Sequence, residues 1–214
     1  MRVVIAGGHG QIALHLERLL AAAGHVPLGV VRNPDHVPDL EAAGAEAVVL
    51  DLERATAADL AAVVAGADAV VFAAGGGPGS GAARKDSVDR GAAALLADAA
   101  TQAGVRRYVM VSSMGTDRAD PASDDVFQVY LRAKKAADDD LRARDLDWTI
   151  VHPGRLTDDP PTGLVCVGRL DRGEVTRADV AAVLVAVLGT PSTVGADFDL
   201  LNGDAPVPEA LAGL

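Results

Sequence analysis

The first two dozen residues constrain the chain most. Arg2-Val3-Val4-Ile5-Ala6 is an apolar, β-branched run that breaks at once into Gly7-Gly8-His9-Gly10-Gln11-Ile12-Ala13. Ile12, Leu16, Leu19, Leu20 and Ala23 then follow at helical spacing. Strand, glycine turn and helix in that order make a βα unit. A tight reversal calls for positive φ, and bare backbone lets a diphosphate reach the amides and the positive end of the helix. Ala13 fills a small position where helix and strand must pack closely. The glycines read as G-x-G-x-x-A from Gly8 or as G-x-x-G-x-x-A from Gly7. In a chain with 23 glycines a turn that binds nothing is the alternative. The flanking strand and helix favour dinucleotide binding, with Gly7, Gly10, Gln11 and Ile12 as contacts.

The same alternation continues at roughly 20 to 25 residues per unit, the period of a doubly wound sheet. Strands are expected at 26–31, 46–50, 69–72, 108–112 and 148–151, and helices at about 34–43, 56–64, 85–103 and 127–144. The fourth strand runs into Ala73-Ala74-Gly75 and on through a glycine-rich stretch to Gly81, at the carboxyl end of a strand where open α/β sheets bind ligands. A polar loop spans 113–125, and its part 120–125 is the best candidate for disorder. Beyond Pro153-Gly154 the pattern weakens to an irregular stretch, an extended piece 164–167, a helix 177–188, a seventh strand 198–201 and a short helix near Pro208.

The expected architecture is an α/β, doubly wound Rossmann fold. Its mostly parallel sheet has six to seven strands in the order 3-2-1-4-5-6, with strand seven at the edge. A single domain over 1–214 is expected, with a small substrate-side region at about 153–214. Half the residues are apolar but only 3% are aromatic, which suits Ala, Val and Leu helices on a parallel sheet and leaves few rings for stacking bases. The net charge of −11 argues against nucleic acid or an acidic membrane as partner. The N-terminus enters a strand without an export-type leader, and no apolar run approaches a bilayer span. The expectation is a cytoplasmic monomer or homodimer with a small-molecule substrate. The one cysteine, Cys166, is expected in the core, and no Cys/His spacing makes a metal site.

Two constellations carry chemistry. Arg32 ends the second strand where an NAD-specific site places an acid against the ribose 2′-hydroxyl. A guanidinium there matches a 2′-phosphate, so NADP(H) is expected over NAD(H). Asp51 and Leu52, after strand three, are placed to edge the adenine, although Asp51 also suits a cap. The second constellation is Tyr130 with Lys134 four residues later, on one helix face, where an ammonium can stabilise a phenolate and make a tuned proton donor.

Together with Val88-Asp89-Arg90-Gly91, Val109-Met110-Val111-Ser112-Ser113, Thr149 to Gly154 and Arg177 to Ala181, these residues resemble the short-chain dehydrogenase/reductase superfamily. The likeness is to its short atypical branch of NAD(P)-binding proteins, including biliverdin and flavin reductase-like and NmrA-like members. The resemblance implies Ser113 as the hydroxyl that orients substrate, Tyr130 as acid/base, Lys134 as its tuner and ribose ligand, and Pro153-Gly154 beside the nicotinamide. Asp89 stands where many relatives have Asn, and His152 where close ones often have Arg. The implied function is an NADP(H)-dependent oxidoreductase acting on a small or planar carbonyl, quinone or flavin-like substrate, since only about 60 residues follow strand six. A non-catalytic NADP(H) sensor and an isomerase or lyase with bound cofactor are the alternatives.

Overall fold

The computed structural model describes residues 1–77 and 79–214; Pro78, in the glycine-rich stretch, lies outside them. Strands β1 (Arg2–Ala6), β2 (Val26–Val31), β3 (Glu46–Val49), β4 (Ala69–Phe72), β5 (Arg107–Val111) and β6 (Asp147–Pro153) pair in parallel in the order 3-2-1-4-5-6. Five further strands follow: β7 (Arg155–Thr157), β8 (Leu164–Gly168) and β9 (Glu174–Thr176), then, after a helix, β10 (Asp197–Asn202) and β11 (Ala205–Pro206). β10 lies parallel to β6, with Phe198 beside Val151. It is not the edge, because β8 pairs antiparallel with it and β11 antiparallel with β8, giving nine strands. β7, within the stretch expected to be irregular, pairs in parallel with β9, just before the helix expected at 177, as a separate two-stranded sheet.

The helices are α1 (Gln11–Ala22), α2 (Val37–Ala42), α3 (Ala57–Val64), α4 (Ala82–Arg84), α5 (Ala93–Ala103), α6 (Val126–Arg142), α7 (Arg177–Gly189) and α8 (Val207–Leu211). Successive strand residues face opposite ways, so a doubly covered sheet must be apolar on both faces. Val3, Ile5, Val71 and Val109 pack with α1, α7 and α8 on one face. On the other, Val4, Val70, Phe72, Tyr108 and Met110 pack with α3, α5 and α6. Thr56 and Asp59 form a reciprocal capping box that starts α3.

Several local expectations are corrected. The helix expected from about 34 begins as a 3₁₀ turn, Pro34–His36, and restarts at Val37, because Pro38 has no N–H with which to continue the α-helical ladder. The helix expected at 85–103 starts at Ala82 and passes through a π-helical segment, Lys85–Ala92, that buries Asp89. The loop at 120–125 is tied to α6, with Arg132 donating to the Ser123 carbonyl at 2.8 Å and Asp125 capping the helix. Cys166 is exposed, not buried. It alternates with buried Val165 on β8, which has one covered face.

One charge is misplaced by ordinary rules. Glu17 on α1 is fully buried, and neither carboxyl oxygen has a hydrogen-bond partner among the described residues. A Cβ on Gly29 would lie 2.5 Å from its Oε1, so the absent side chain there makes room for this carboxyl. Burial pushes it up to about 8 against the lowering charge of Arg18.

Candidate functional site

The glycine turn divides its roles. Gly7 has φ +87°, and a Cβ on it would lie 2.6 Å from the Ala74 Cα, so this position supplies both the reversal and the close approach of the loop after β4. Gly10 is ordinary extended backbone (φ −65°, ψ 147°) at the start of α1, so the positive φ of the reversal is not its role. A Cβ on Gly10 would face the carbonyls of Gly7 and Ala73, at 3.2 and 3.6 Å. Here the missing side chain leaves open space in front of the helix. No acid occupies the first turn of α1, Gln11 is exposed and Ile12 half-buried.

That space belongs to a cleft of about 400 Å³ bordered by Gly7, Gly10, Arg32, Asp51, Leu52 and Ala73, with Ala74, Gly75 and Arg84 also on its walls. Bare backbone amides, a helix start and basic residues around one opening fit a dinucleotide with its phosphates. Arg32 does not stand free. Its Nη1 lies 3.6 Å from Glu53 Oε2, and Arg84 Nη1 lies 3.0 Å from the same oxygen. Ser87 donates to the other Glu53 oxygen at 2.6 Å. Sequence reasoning missed Arg84 and Glu53; Glu53 sits only two residues beyond Asp51, whose carboxylate accepts from the Glu53 amide at 3.1 Å.

A second cavity of about 900 Å³ is lined by Ser113, Tyr130, Pro153 and Gly154. It opens at the carboxyl ends of β5 and β6, where the Met114 amide donates to the Pro153 carbonyl at 3.0 Å and Gly154 to Leu200 at 3.0 Å. A Cβ on Gly154 would lie 2.5 Å from the Gly173 carbonyl, so no larger residue fits this corner. The Tyr130 ring tilts against Phe127, centroids 5.9 Å apart, and the Lys85 ammonium is 5.1 Å from its centre.

Lys134 goes elsewhere. Its face of α6 turns inward, and the ammonium donates to the Val111 carbonyl at 3.0 Å, 3.5 Å from Asp89 Oδ1 and 5.3 Å from the Phe72 ring centre. Among the described residues no hydrogen bond joins it to the Tyr130 phenol. Asp89 in turn accepts from the Gly76 amide at 3.1 Å. The Asp at position 89 thus ties the glycine-rich loop to α6 through Lys134.

Behind Ser113 lies a buried chain of polar groups. Ser112 donates to Asp138 at 2.9 Å. His152 Nδ1 donates to the Ser113 carbonyl at 3.1 Å and Nε2 to Asp197 at 2.6 Å. Arg142 Nε donates to the other Asp197 oxygen at 2.9 Å. Both ring nitrogens of His152 face acceptors, which suits the imidazolium. Burial pulls His152 down, but the Asp197 hydrogen bond and the Asp138 charge outweigh it and hold it above its ordinary value. Burial pushes Asp138 up to about 6, opposed by the His152 charge and the Ser112 hydrogen bond. Asp197 is raised by burial yet held at about 2 by His152 and Arg142. Ser112, Ser113 and His152 stood out in the sequence, but no signal joined them to Asp138, Arg142 and Asp197, because the members come from the end of β5 and from α6, β6 and β10.

Among the described residues, no helix is long and apolar enough to cross a membrane. A family model described as NAD(P)H-binding matches residues 7–191. An uncharacterized sugar epimerase of Bacillus subtilis is 38% identical over 216 residues, covering all of both chains. A solved structure from Bacillus halodurans, named for NAD-dependent epimerases and dehydratases, is 38% identical and superposes over the full length of both chains with a TM-score of 0.93. An oxidoreductase of Lactococcus lactis is 28% identical, TM-score 0.89, over 100% of this chain and 96% of that one.

Proposed function

The chain belongs to the NAD(P)H-binding family, among the atypical relatives of the short-chain dehydrogenases/reductases, and from that premise we propose that it is an NADP(H)-dependent oxidoreductase. It acts on a small or planar carbonyl, quinone or flavin-like acceptor, as a cytoplasmic monomer or homodimer whose region 153–214 forms the substrate side of one domain. The observation that carries the reading is that Ser113 and Tyr130 line one cavity with Pro153 and Gly154.

Gly7, Gly10, Gln11 and Ile12 take the diphosphate, Asp51 and Leu52 the adenine, and Ala73, Ala74 and Gly75 the middle of the dinucleotide. Arg32 takes the 2′-phosphate, with Arg84 beside it. When bound, the nicotinamide would supply a hydride to the carbon of a carbonyl acceptor, or to the electrophilic ring nitrogen of a flavin-like one. For the carbonyl, Ser113 orients the acceptor by hydrogen bonding its oxygen, and Tyr130 delivers the proton to that oxygen. An ammonium has three N–H donors; with one on Val111 and one turned to Asp89, Lys134 keeps a third for the ribose.

The test is a screen of carbonyls, quinones and flavins for NADPH oxidation, expected to find at least one acceptor that Tyr130→Phe turns over slowly. A second reading, a non-catalytic NADP(H) sensor, is favoured by Lys134 being occupied away from the phenol. It replaces the first if no acceptor oxidises NADPH while cofactor binding changes oligomeric state or a partner interaction. The epimerase name of the Bacillus subtilis relative favours a third, an isomerase or lyase that keeps its cofactor, which would convert substrate with no net NADPH consumed.

A further inference from the structure

The cavity that holds Ser113 and Tyr130 reverses the sign of the molecule. The chain carries a net charge of −11, yet four arginines, Arg118, Arg155, Arg172 and Arg177, line this cavity against a single acid, Glu174. Two of the four are spoken for: Arg155 Nε donates to Glu174 at 2.9 Å and Arg177 Nη1 to Asp158 at 2.7 Å. The guanidinium groups of Arg118 and Arg172 have no ion pair or hydrogen bond among the described residues, and both residues are exposed and line the opening.

Both arginines stand on anchored backbone. Arg118 ends a 3₁₀ turn whose first residue, Thr116, is buried. The loop of Arg172 is fixed on one side by the Leu170 amide donating to Asp199 at 3.0 Å and on the other by Gly173, whose carbonyl accepts from Arg155 at 2.9 Å. The dinucleotide's own anions do not account for them, because the glycine turn and Arg32 belong to the other cleft. The rest of the wall includes Met114, Phe127 and Leu156, and Phe127 is 57% exposed. An apolar, ring-bearing wall with two uncommitted guanidinium groups matches a flat apolar body bearing an anionic substituent, because guanidinium forks bind carboxylate and phosphate oxygens in pairs.

We propose that this cavity selects an acceptor that is planar and carries a carboxylate or phosphate group, held by Arg118 and Arg172 while Ser113 and Tyr130 address the reducible end opposite. The proposal rests on the oxidoreductase reading above and names its substrate class.

Calorimetric titration against the protein saturated with NADP⁺ tests it, since oxidised cofactor and oxidised acceptor form a complex without turnover. One arm compares 4-formylbenzoate with its methyl ester, the other FMN with riboflavin, so that carboxylate and phosphate are told apart. The charged member should bind at least about tenfold more tightly in one arm or both, the size of a charge-assisted hydrogen bond. The preference should fall below about threefold in Arg118→Ala/Arg172→Ala and reverse in Arg118→Glu/Arg172→Glu. Equal binding within both pairs, or no binding by any of the four, overturns the proposal, as does a preference that survives in the double alanine variant. Failure of NADP⁺ itself to bind overturns the cofactor reading instead. The four probes titrated against the protein alone then decide the arginine assignment.

Discussion

The Lys134 ammonium and the Asp89 carboxylate face each other at 3.5 Å, with side chains 4% and 0% exposed. Breaking a buried pair from one side leaves an uncompensated charge and costs roughly 3–5 kcal/mol. Lys134→Met should lower stability by about that much in urea denaturation, and adding Asp89→Asn should recover much of it. Equal losses in the single and double variants would show that the two groups are not coupled.

For Tyr130 the expectation concerns rate. Tyr130→Phe should leave NADPH affinity almost unchanged and lower kcat by about 10² to 10⁴, the usual contribution of a general acid. Wild-type turnover of an identified acceptor would assign the proton to water or another group.

Cofactor choice is expected to turn on the Arg32, Glu53 and Arg84 cluster. Arg32→Ala should weaken NADPH binding by about 1.5–3 kcal/mol, the range for a hydrogen bond to a charged group, and leave NADH nearly unaffected. Glu53→Gln should do the opposite, tightening NADPH, because the carboxylate that occupies both guanidinium groups is gone. Equal effects on the two cofactors in fluorescence titrations would remove this cluster from the phosphate site.

The two glycines of the turn should fail differently. Gly7→Ala meets both a positive φ and the Ala74 backbone at 2.6 Å, so it should lower the melting temperature. Gly10→Val has an accessible backbone conformation and should melt within a few degrees of wild type, yet lose cofactor binding. Retained affinity in folded Gly10→Val would move the diphosphate away from the helix start.

Stability should fall as pH rises from about 4.5 to about 8. The unfolded chain releases the Glu17 proton near 4.5, the folded chain only near 8. Between those values the native state binds more protons, so the slope of stability with pH is negative. Over the whole window the loss is on the order of 3–5 kcal/mol at about 1.4 kcal/mol per pKa unit. Asp138, raised to about 6, adds to the fall at its acid end. His152, raised above its ordinary 6.5, contributes stability present below that value and lost as pH climbs through its native one. Glu17→Gln should flatten the profile measured by urea midpoints from pH 5 to 8.5. An undiminished slope would assign the effect to other groups.

The six parallel strands were legible because a strand buried on both faces reads as an uninterrupted apolar run, as in Ala69-Val70-Val71-Phe72, closed by glycine or a charge. β7, β9 and β11 span three, three and two residues, too few for any periodicity to register. The glycine turn was legible as a motif, but which glycine bears the strain was not, because that depends on Ala74 approaching from the end of β4. Tyr130 and Lys134 were rightly placed four apart on one helix. Spacing gives a common face; it does not tell that the face beneath Lys134 is dry and already supplied with Val111 and Asp89. Arg84, Glu53 and Arg172 escaped for the same reason, their neighbours being contributed by distant segments.

The two outermost strands bear on how copies of this chain can meet. β11 has two residues and ends on Pro206, whose nitrogen has no hydrogen to donate, while β3 has four and begins at Glu46, paired with Arg2 at 2.9 Å. Short rims ending on proline or charge offer a neighbouring strand almost no ladder to extend. A nine-stranded sheet rich in valine would otherwise be a template for edge-to-edge growth into fibres. With its rims blunted in this way, self-association is steered to helices and loops, and the protein should stay free of sheet-extended polymers at high concentration.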